Sequence, residues 1–261
     1  MYEESLRGPI IYIRHAQSKY NQIMLDPNNI HLKNSFDLID CGITEEGKLQ
    51  SENLGKVLTE CKIRTVFISP LNRTIETCFE SLKNHKDFEM IKFIILPLAS
   101  EIIDSSCDIP LTIEEKKVRF NSYNKFNLDW DLCKDYYFLN NIDDANFKEI
   151  LKDVNYSNYE QNYSLYEKGL NICFSNKKSG ESLKNLYKRS LELKSFLKDF
   201  LSRYGIAEDE KILVYTHSAI TRISTSYLAH NLEDIPFYPE DSHHLNNCEF
   251  LTINTDYDNF H

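Results

Sequence analysis

Three short apolar runs, each rich in β-branched residues, stop abruptly in this sequence, and a segment with helical spacing follows each of them. The runs end at Ile13, Ile68 and Thr216. Runs of this length and composition are typical of strands buried on both faces, and such strands occur mainly in parallel sheets. Because parallel strands need long crossover connections, which are usually helical, the pattern predicts an α/β fold.

Capping signals and hydrophobic spacing place the remaining elements. Helices are predicted at 18–25, 44–61, 71–82, 179–205 and from 220 towards 228. Strands are predicted at 9–13, 65–68, 90–96, 211–216 and 248–254, with the last at the sheet edge. The helix that ends at Gly205 carries one continuous apolar stripe, so we interpret it as a core-facing scaffold that takes no part in chemistry.

Aromatic residues are concentrated in the middle of the chain. The segment 120–174 contains thirteen of them, about double the density expected from the chain's overall 12%. This density favours a packed insertion, at about 105–178, over a disordered linker. A length of 261 residues fits one large domain or two small ones. We predict a single domain over residues 1–261 that carries the aromatic-rich insertion.

Charge and composition exclude several classes of function. A net charge of −10 repels nucleic acid and anionic membranes, so an anionic substrate would need a local positive pocket. No apolar run approaches the roughly 18 residues of a membrane span, and no apolar leader follows the first residue, so we expect a cytoplasmic protein. The seven cysteines form no CxxC pair and His243 and His244 have no metal-ligand spacing, so neither disulfides nor a metal site is predicted.

The side chains at the strand–helix junctions carry the chemistry. Arg14 and His15 follow the first run, Arg73 lies in the first turn after the second, and His217 follows the third. If these strands are parallel neighbours, all four side chains meet at one carboxyl edge, where α/β proteins bind ligands. Two guanidiniums and two imidazoles repel one another unless they surround a dianion such as a phosphate. Neighbouring arginines also lower the pKa of His15, which keeps it neutral and able to attack phosphorus. An isolated Arg–His pair more often marks a solvated loop, so the joint pattern carries the inference.

The motifs around these residues resemble those of the histidine phosphatase superfamily, the phosphoglycerate-mutase-like proteins. Their signature Arg-His-Gly-x-Ser-x-x-Asn corresponds to Arg14-His15-Ala16-Gln17-Ser18-Lys19-Tyr20-Asn21. The resemblance continues at 43–47, 69–77, Glu101 and 214–218, and so covers both ends of the chain. The late Asn247-Cys248-Glu249 further resembles a eukaryotic phosphomutase-like branch. Two features depart from the pattern: Ala16 replaces the usual glycine, and 109–111 lacks the expected basic residues.

The resemblance implies a three-layer α/β sandwich, with a mostly parallel central sheet and helices on both faces. It implies that His15 is the nucleophile that becomes phosphohistidine. It also implies that Arg14, Arg73 and His217 hold the phosphoryl oxygens. No cofactor or metal is expected, because the arginines supply the positive charge.

The resemblance also implies residues around the leaving group. Asn21 and Ser218 are expected to contact the substrate, and Glu101 is expected to donate the proton to the leaving alcohol. Apolar neighbours of Glu101 favour a raised pKa, which suits a general acid. Asp108 is the other carboxylate in the region, and we interpret it as structural. Arg222 lies at a frequently basic position, where a structural role is about as well supported.

Three functions remain open from the sequence. The leading one is a metal-independent phosphomonoesterase that acts on a small phosphorylated metabolite or a phosphoprotein. The first alternative is a phosphomutase, which is disfavoured because 22–25 lacks the motif that follows the signature in glycolytic mutases. The second is a non-catalytic phospho-ligand or protein-binding module, which is disfavoured because binding alone needs no nucleophile.

Overall fold

A computed structural model describes residues 8–123, 126–133, 141, 145, 180–226 and 242–253. Most of the predicted insertion at about 105–178 therefore lies outside the described residues, as do the ends of the predicted helix beyond 226 and of the last strand. The prediction of a single domain over 1–261 stays a prediction.

Six strands of the described residues form one sheet, and it is mostly parallel, as predicted. They are β1 (Ile10–Arg14), β2 (Lys62–Ile68), β3 (Lys92–Ile95), β4 (Leu128–Asp129), β5 (Glu210–Thr216) and β6 (Phe250–Ile253). The strand order is β4-β3-β2-β5-β1-β6. Every neighbouring pair is parallel except β1 and β6, which are antiparallel. Within the described part of the chain, β6 is an edge strand, which confirms the prediction for the last strand.

Six α-helices lie within the described ranges. They are α1 (Lys19–Met24), α2 (Glu45–Leu58), α3 (Asn72–Leu82), α4 (Ile113–Phe120), α5 (Leu183–Tyr204) and α6 (Ser218–Thr225). Short 3-10 turns connect them at Pro27–Leu32, Phe36–Leu38, Phe88–Met90, Pro97–Ala99, Ser106–Asp108 and Asp131–Cys133. Among these described helices, none is both long enough and apolar enough to pass through a membrane.

Two predicted helix starts were wrong by a few residues. The helix predicted from 179 begins at Leu183, because the Ser182 side chain accepts a hydrogen bond from the Asn185 N–H and caps it. The helix predicted from 220 already begins at Ser218, directly after the extended His217. Both differences follow from capping geometry, which hydrophobic spacing does not record.

Each face of the sheet has its own hydrophobic core, and strand alternation assigns residues to them. In β1, Ile11 and Ile13 belong to one core, while Ile10 and Tyr12 belong to the other. The first core includes buried residues of α2 and α3, and the second includes those of α5 and α6. The molecule is therefore the predicted three-layer sandwich. The aromatic side chains of the insertion that are described, such as Phe120 and Phe126, extend the first core.

Candidate active site

The sheet register brings the three strand–helix junctions to one edge. β5 lies between β1 and β2, with Arg14 paired to Thr216 and Ile68 paired to Tyr215. Just beyond the strands, the His15 N–H donates to the Thr216 carbonyl at 3.0 Å, and Ser69 continues the ladder in the same way. The three chain segments consequently leave the sheet side by side. This is the juxtaposition that the sequence pattern predicts.

The imidazole of His15 is fixed in one tautomer by its two contacts. Its Nδ1 lies 2.7 Å from the Ala16 carbonyl oxygen and donates to it. Its Nε2 therefore carries the lone pair, and the Arg73 Nε–H donates to that atom at 3.3 Å. Burial, followed by the charges of Arg73 and Arg14, holds the pKa of His15 well below its ordinary value. The ring is thus neutral near pH 7, with Nε2 as its nucleophilic atom.

Arg73 connects three parts of the site through one buried guanidinium. Besides its contact with His15, it donates through Nη1 to the Cys107 carbonyl at 2.6 Å. Through Nη2 it donates to Asp108 Oδ1 at 2.8 Å, and both side chains of this ion pair are almost fully buried. A planar guanidinium with fixed donors suits such multiple bonding. Arg73 therefore holds the 107–108 segment beside the imidazole.

The start of α3, and with it Arg73, is anchored by a buried acid. Asp40 Oδ1 accepts the Asn72 N–H at 2.7 Å, and the Asn72 side chain donates to the Asp40 carbonyl at 2.8 Å. The fully buried Lys116 forms an ion pair with the same carboxylate. Asp40 stands in a left-handed backbone conformation, with φ of 42°. No sequence signal used above identified this anchor.

Arg14 is half-buried at the end of β1. Its Nη1 donates to the Leu245 carbonyl at 2.7 Å, and its Nε is buried without a hydrogen-bond partner in the described structure. The segment after Leu245 also braces the site from behind, because Asn247 Nδ2 donates to the His15 carbonyl at 3.0 Å and to Asn21 Oδ1 at 3.3 Å. Asn21 itself also accepts hydrogen bonds at the start of α1.

His217 lies behind His15. It is fully buried, and the two ring centroids are 5.1 Å apart. Its Nε2 is 2.7 Å from Ser69 Oγ, while its Nδ1 is buried without a partner in the described structure. Burial, followed by the charges of Arg73 and His15, holds the pKa of His217 well below its ordinary value. The structure thus places His217 beside the nucleophile without making it part of the cavity wall.

Glu101 follows the 3-10 turn Pro97–Ala99 at the carboxyl end of β3. Its Oε1 accepts the Ile102 N–H at 3.0 Å, and its Oε2 accepts the Ala219 N–H at 3.3 Å. Burial, followed by the charge of Asp108, raises the pKa of Glu101, although Arg73 opposes the shift. A carboxyl group with a raised pKa can hold a proton nearer to neutral pH than an exposed one.

A cavity of about 210 Å³ joins these groups. It is lined by Arg14, His15, Ser18, Tyr20, Asn21, Arg73, Glu101, Ile102, Asp104, Ser105, Cys107, Asp108, Ser218, Ala219 and Arg222. Six of the seven predicted site residues are among them, and His217 is the exception. Arg222, whose role the sequence left open, also lines the cavity. Within the described residues, no group of three or more His, Cys, Asp or Glu side chains could hold a metal ion.

The sequence marks Asp108 as a structural carboxylate without revealing its partner, and it gives no signal for Arg189. Asp108 is the ion-pair partner of Arg73, and its Oδ2 accepts hydrogen bonds from the backbone and hydroxyl of Ser105. The Ser-x-x-Asp spacing of 105–108 is a signal for this local cap, but it does not reveal the partner. The helix α5 packs on the second core, as its apolar stripe predicts, and it also reaches the site through one polar side chain. Its Arg189 donates to the Glu101 carbonyl at 3.2 Å.

The family model of the histidine phosphatase superfamily (branch 1) matches residues 10–102, from the first residue of β1 to just beyond Glu101. The match covers 93 of the 261 residues, and these include Arg14, His15, Arg73 and Glu101. This match supports a phosphatase-like or mutase-like function. No curated protein matches the sequence.

Several solved structures are similar to this chain at low sequence identity. One is an ecdysone phosphate phosphatase from Bombix mori in complex with tungstate, with 13% identity, a TM-score of 0.52, and coverage of 92% of this chain and 86% of that one. A mycobacterial glucosyl-3-phosphoglycerate phosphatase has 13% identity and a TM-score of 0.48, with coverage of 92% and 87%. A phosphoserine phosphatase from Entamoeba histolytica has 15% identity and a TM-score of 0.44, with coverage of 92% and 87%. At 13% identity, the similarity to the Bombix mori protein shows a shared fold.

Proposed function

We propose that this protein is a member of the histidine phosphatase superfamily and a metal-independent phosphomonoesterase that works through a phosphohistidine at His15. The observation that carries the proposal is the tautomer of His15. Its Nδ1 is committed to the Ala16 carbonyl, so the lone pair lies on Nε2, where it accepts the Arg73 Nε–H at 3.3 Å until that donor turns to a phosphoryl oxygen. A buried, neutral imidazole beside two guanidiniums is suited to attack a phosphorus atom.

The charges around the cavity support a phosphate dianion as the ligand. The chain as a whole has a net charge of −10 and would repel an anion. Arg14 supplies positive charge at the cavity, where the fork-shaped donors of a guanidinium match phosphoryl oxygens. The Arg73 guanidinium lies beside it and is held by Cys107 and Asp108. The buried, unpartnered Arg14 Nε is one donor that such an oxygen can satisfy.

In the first half-reaction, His15 Nε2 attacks phosphorus in line with the ester oxygen. The N–P bond forms as the P–O bond to the alcohol breaks. Protonated Glu101 gives its proton to the leaving oxygen, which would otherwise depart as an unstable alkoxide. The arginines stabilise the charge on the equatorial phosphoryl oxygens in the transition state.

In the second half-reaction, water replaces the alcohol. The Glu101 carboxylate takes a proton from the water as its oxygen attacks phosphorus. The N–P bond breaks, inorganic phosphate leaves, and both His15 and Glu101 return to their starting protonation states. The physiological substrate is proposed to be a small phosphorylated metabolite or a phosphoprotein, in accordance with the phosphorylated substrates of the superfamily.

The first prediction tests the nucleophile. We expect His15→Ala to abolish release of inorganic phosphate from p-nitrophenyl phosphate and to leave the folded structure intact by circular dichroism. The wild-type protein, quenched during turnover, should carry an acid-labile, base-stable phosphoryl group that the variant lacks. His31→Ala, at an exposed histidine outside the cavity, is the matched control and should retain activity. Substantial activity of His15→Ala would exclude the mechanism.

The same assay separates the alternatives. Phosphate release shows hydrolysis, whereas a mutase would return the phosphoryl group to a second hydroxyl and release little. A non-catalytic module would bind vanadate or a phosphomonoester without turnover. The proposal also requires that activity survive exhaustive chelation and that vanadate, which mimics five-coordinate phosphorus, inhibit it. Loss of activity on chelation, with recovery on addition of a divalent cation, would overturn the metal-independent mechanism.

A further inference from the structure

Arg189 of α5 is buried, and its guanidinium is directed at the backbone that carries Glu101. Its Nη1 donates to the carbonyl of Leu98 at 3.2 Å and to that of Ser100 at 2.6 Å. Its Nη2 donates to the carbonyl of Glu101 at 3.2 Å. One side chain therefore holds three carbonyl oxygens within four consecutive residues, although it lies almost ninety residues away in the sequence.

A second contact fixes the guanidinium itself. Arg189 Nε donates to Glu181 Oε1 at 2.9 Å, and Nη2 contacts the other carboxylate oxygen. The Glu181 N–H in turn donates to the Ile103 carbonyl at 3.1 Å. The approach is close, because a Cβ added at Gly180 would lie 1.8 Å from the Ile103 oxygen. The 98–103 segment is thus held at both ends by residues 180–189.

The sheet adds a third support to the same segment. Thr216 Oγ1, at the end of β5, donates to the Ala99 carbonyl at 2.7 Å. The carboxylate of Glu101 accepts the Ala219 N–H at the start of α6. Together with Arg189, these contacts fix both the backbone and the side chain of Glu101 relative to the strand ends that carry His15.

A buried ion pair is a costly way to fill this position if packing is its only role. The desolvation of two charges often exceeds their attraction, and apolar replacements of similar volume are frequently no less stable. A guanidinium differs from an apolar residue in presenting several donors in a rigid plane. Three carbonyls of one turn use those donors, which fixes the position of the turn rather than merely covering it.

We infer that Arg189 is a positioning residue for Glu101, set by the Arg189–Glu181 pair. The inference rests on the proposed function, because it gives Glu101 the role of general acid. It assigns to α5 a part in the leaving-group step. A displacement of about 1 Å of a reacting group can cost on the order of 10²-fold in rate, so loss of this contact has a measurable consequence.

The test compares two substrates that differ in their need for a proton. β-Glycerophosphate expels an alkoxide, whereas p-nitrophenyl phosphate expels a stable phenolate and hardly needs the acid. Arg189→Lys keeps the charge but loses the fork that reaches three carbonyls. We expect its kcat for β-glycerophosphate to fall roughly 10–100-fold, with a much smaller fall for p-nitrophenyl phosphate. Equal losses on both substrates would show a merely structural role and overturn the inference.

Two control variants on α5 separate positioning from stability. Arg203→Lys makes the same exchange at an exposed position near the end of the helix and should change neither rate. Leu197→Ala removes a fully buried core side chain, so it should lower the melting temperature without separating the two substrates. If Leu197→Ala produces the same separation as Arg189→Lys, loss of stability explains the effect and the inference is wrong.

Glu101→Gln, measured in parallel, distinguishes the inference from the proposed function. If Glu101→Gln does not separate the substrates, the acid assignment fails and the role of Arg189 fails with it. If Glu101→Gln separates them and Arg189→Lys does not, only the inference fails. The double variant should separate the substrates no more than Glu101→Gln alone, because both changes act on the same proton transfer. Additive effects of the two changes would contradict a shared role.

Discussion

Two sides of one cavity are built in different ways. The strand-end side consists of Arg14, His15 and Arg73, with His217 packed behind His15, and these residues lie at or just after the ends of β1, β2 and β5. The loop side consists of residues 96–108, which contain two 3-10 turns and include Glu101 and Asp108. The first side is placed by the register of neighbouring parallel strands. The second is placed by side chains that reach it from elsewhere in the fold.

The partners of the loop side are distant in sequence. Arg73 donates to the Cys107 carbonyl, Ser106 Oγ donates to the Ser35 carbonyl at 2.8 Å, and Arg189 holds the turn before Glu101. In each of these contacts the acceptor is a backbone carbonyl oxygen. The backbone of the strand-end side is therefore set by strand register, whereas loss of a side chain that supports the loop side moves Glu101. Arg73 belongs to the first side and holds the second.

The largest expected effect is at Arg73, because it serves both sides. Arg73→Ala should lower kcat/KM by about 10³–10⁵-fold, the range for an arginine that neutralises a transferring phosphoryl group. It should also lower the free energy of unfolding by about 3–5 kcal/mol, because Asp108 is left as an unpaired buried charge. Steady-state kinetics and urea unfolding measure the two effects.

A double variant tests whether these two effects are separable. Arg73→Ala combined with Asp108→Asn removes the unpaired charge and keeps an acceptor for Ser105, so it should recover much of the stability but none of the activity. Recovery of activity together with stability would show that Arg73 acts only as a structural residue. Arg73 would then support the loop side of the cavity without acting on the substrate.

The next effect is confined to the loop side. Glu101→Gln should lower the rate on an alkyl phosphate by about 10²–10⁴-fold and on an aryl phosphate much less. The rate on the alkyl substrate should fall as pH rises through the raised pKa of Glu101, and the variant should lose this falling limb. Asp108→Asn should show no separation between the substrates. If the separation appears with Asp108→Asn instead, the two carboxylates exchange roles.

The same contrast explains what the sequence could and could not predict. Arg14, His15 and His217 were placed correctly because each lies within two residues of a strand end, and a parallel register fixes the rest. Glu101 was placed near the cavity for a similar reason, since it follows β3 by six residues. The local sequence pattern was sufficient to predict the location of a residue wherever that location depends on the distance from a strand end.

The contacts of the loop side could not be predicted in this way. The Arg73–Asp108 pair and the Arg189 contacts join residues with no shared periodicity, and one partner is often a backbone carbonyl of any residue type. Long-range side chain–backbone bonds leave no spacing signal, so α5 was interpreted as scaffold on the evidence of its apolar stripe alone. For His217, strand register predicts the position of the backbone at the sheet edge but not the direction of the ring. The ring packs against His15 and Ser69 and so lies behind the cavity wall.

A smaller effect concerns the close backbone approach that holds the loop side. Gly180 has φ of +107°, and a Cβ there would clash with the Ile103 carbonyl. Gly180→Ala should therefore combine backbone strain of about 1–3 kcal/mol with displacement of the 103 backbone. Gly205→Ala is the matched control, because Gly205 also has a positive φ, of +56°, but no atom lies near its added Cβ. Urea unfolding should show the larger loss of unfolding free energy for Gly180→Ala. Equal losses would mean that the Ile103 backbone moves aside without a measurable loss of stability.

The last prediction concerns pH, and it gives the two sides opposite signs. Burial holds the pKa of His217 below its ordinary 6.5, so below pH 6.5 the unfolded chain binds a proton that the folded chain does not. Its contribution to stability is complete above pH 6.5 and is lost as pH falls towards the folded pKa. Burial instead raises the pKa of Glu101 above 4.5, so the folded chain binds this proton at a higher pH than the unfolded chain does. The free energy of unfolding therefore rises as pH falls from the folded pKa to 4.5.

The free energy of unfolding, measured by urea titration from pH 4.5 to 7, should therefore change with pH differently in two variants. The difference between wild type and His217→Gln should decrease as pH falls, and that between wild type and Glu101→Gln should increase, each by at most about 1.4 kcal/mol per pH unit. Slopes of the same sign would show that burial does not shift the pKa values of both His217 and Glu101. The two sides would then not respond to pH in opposite directions.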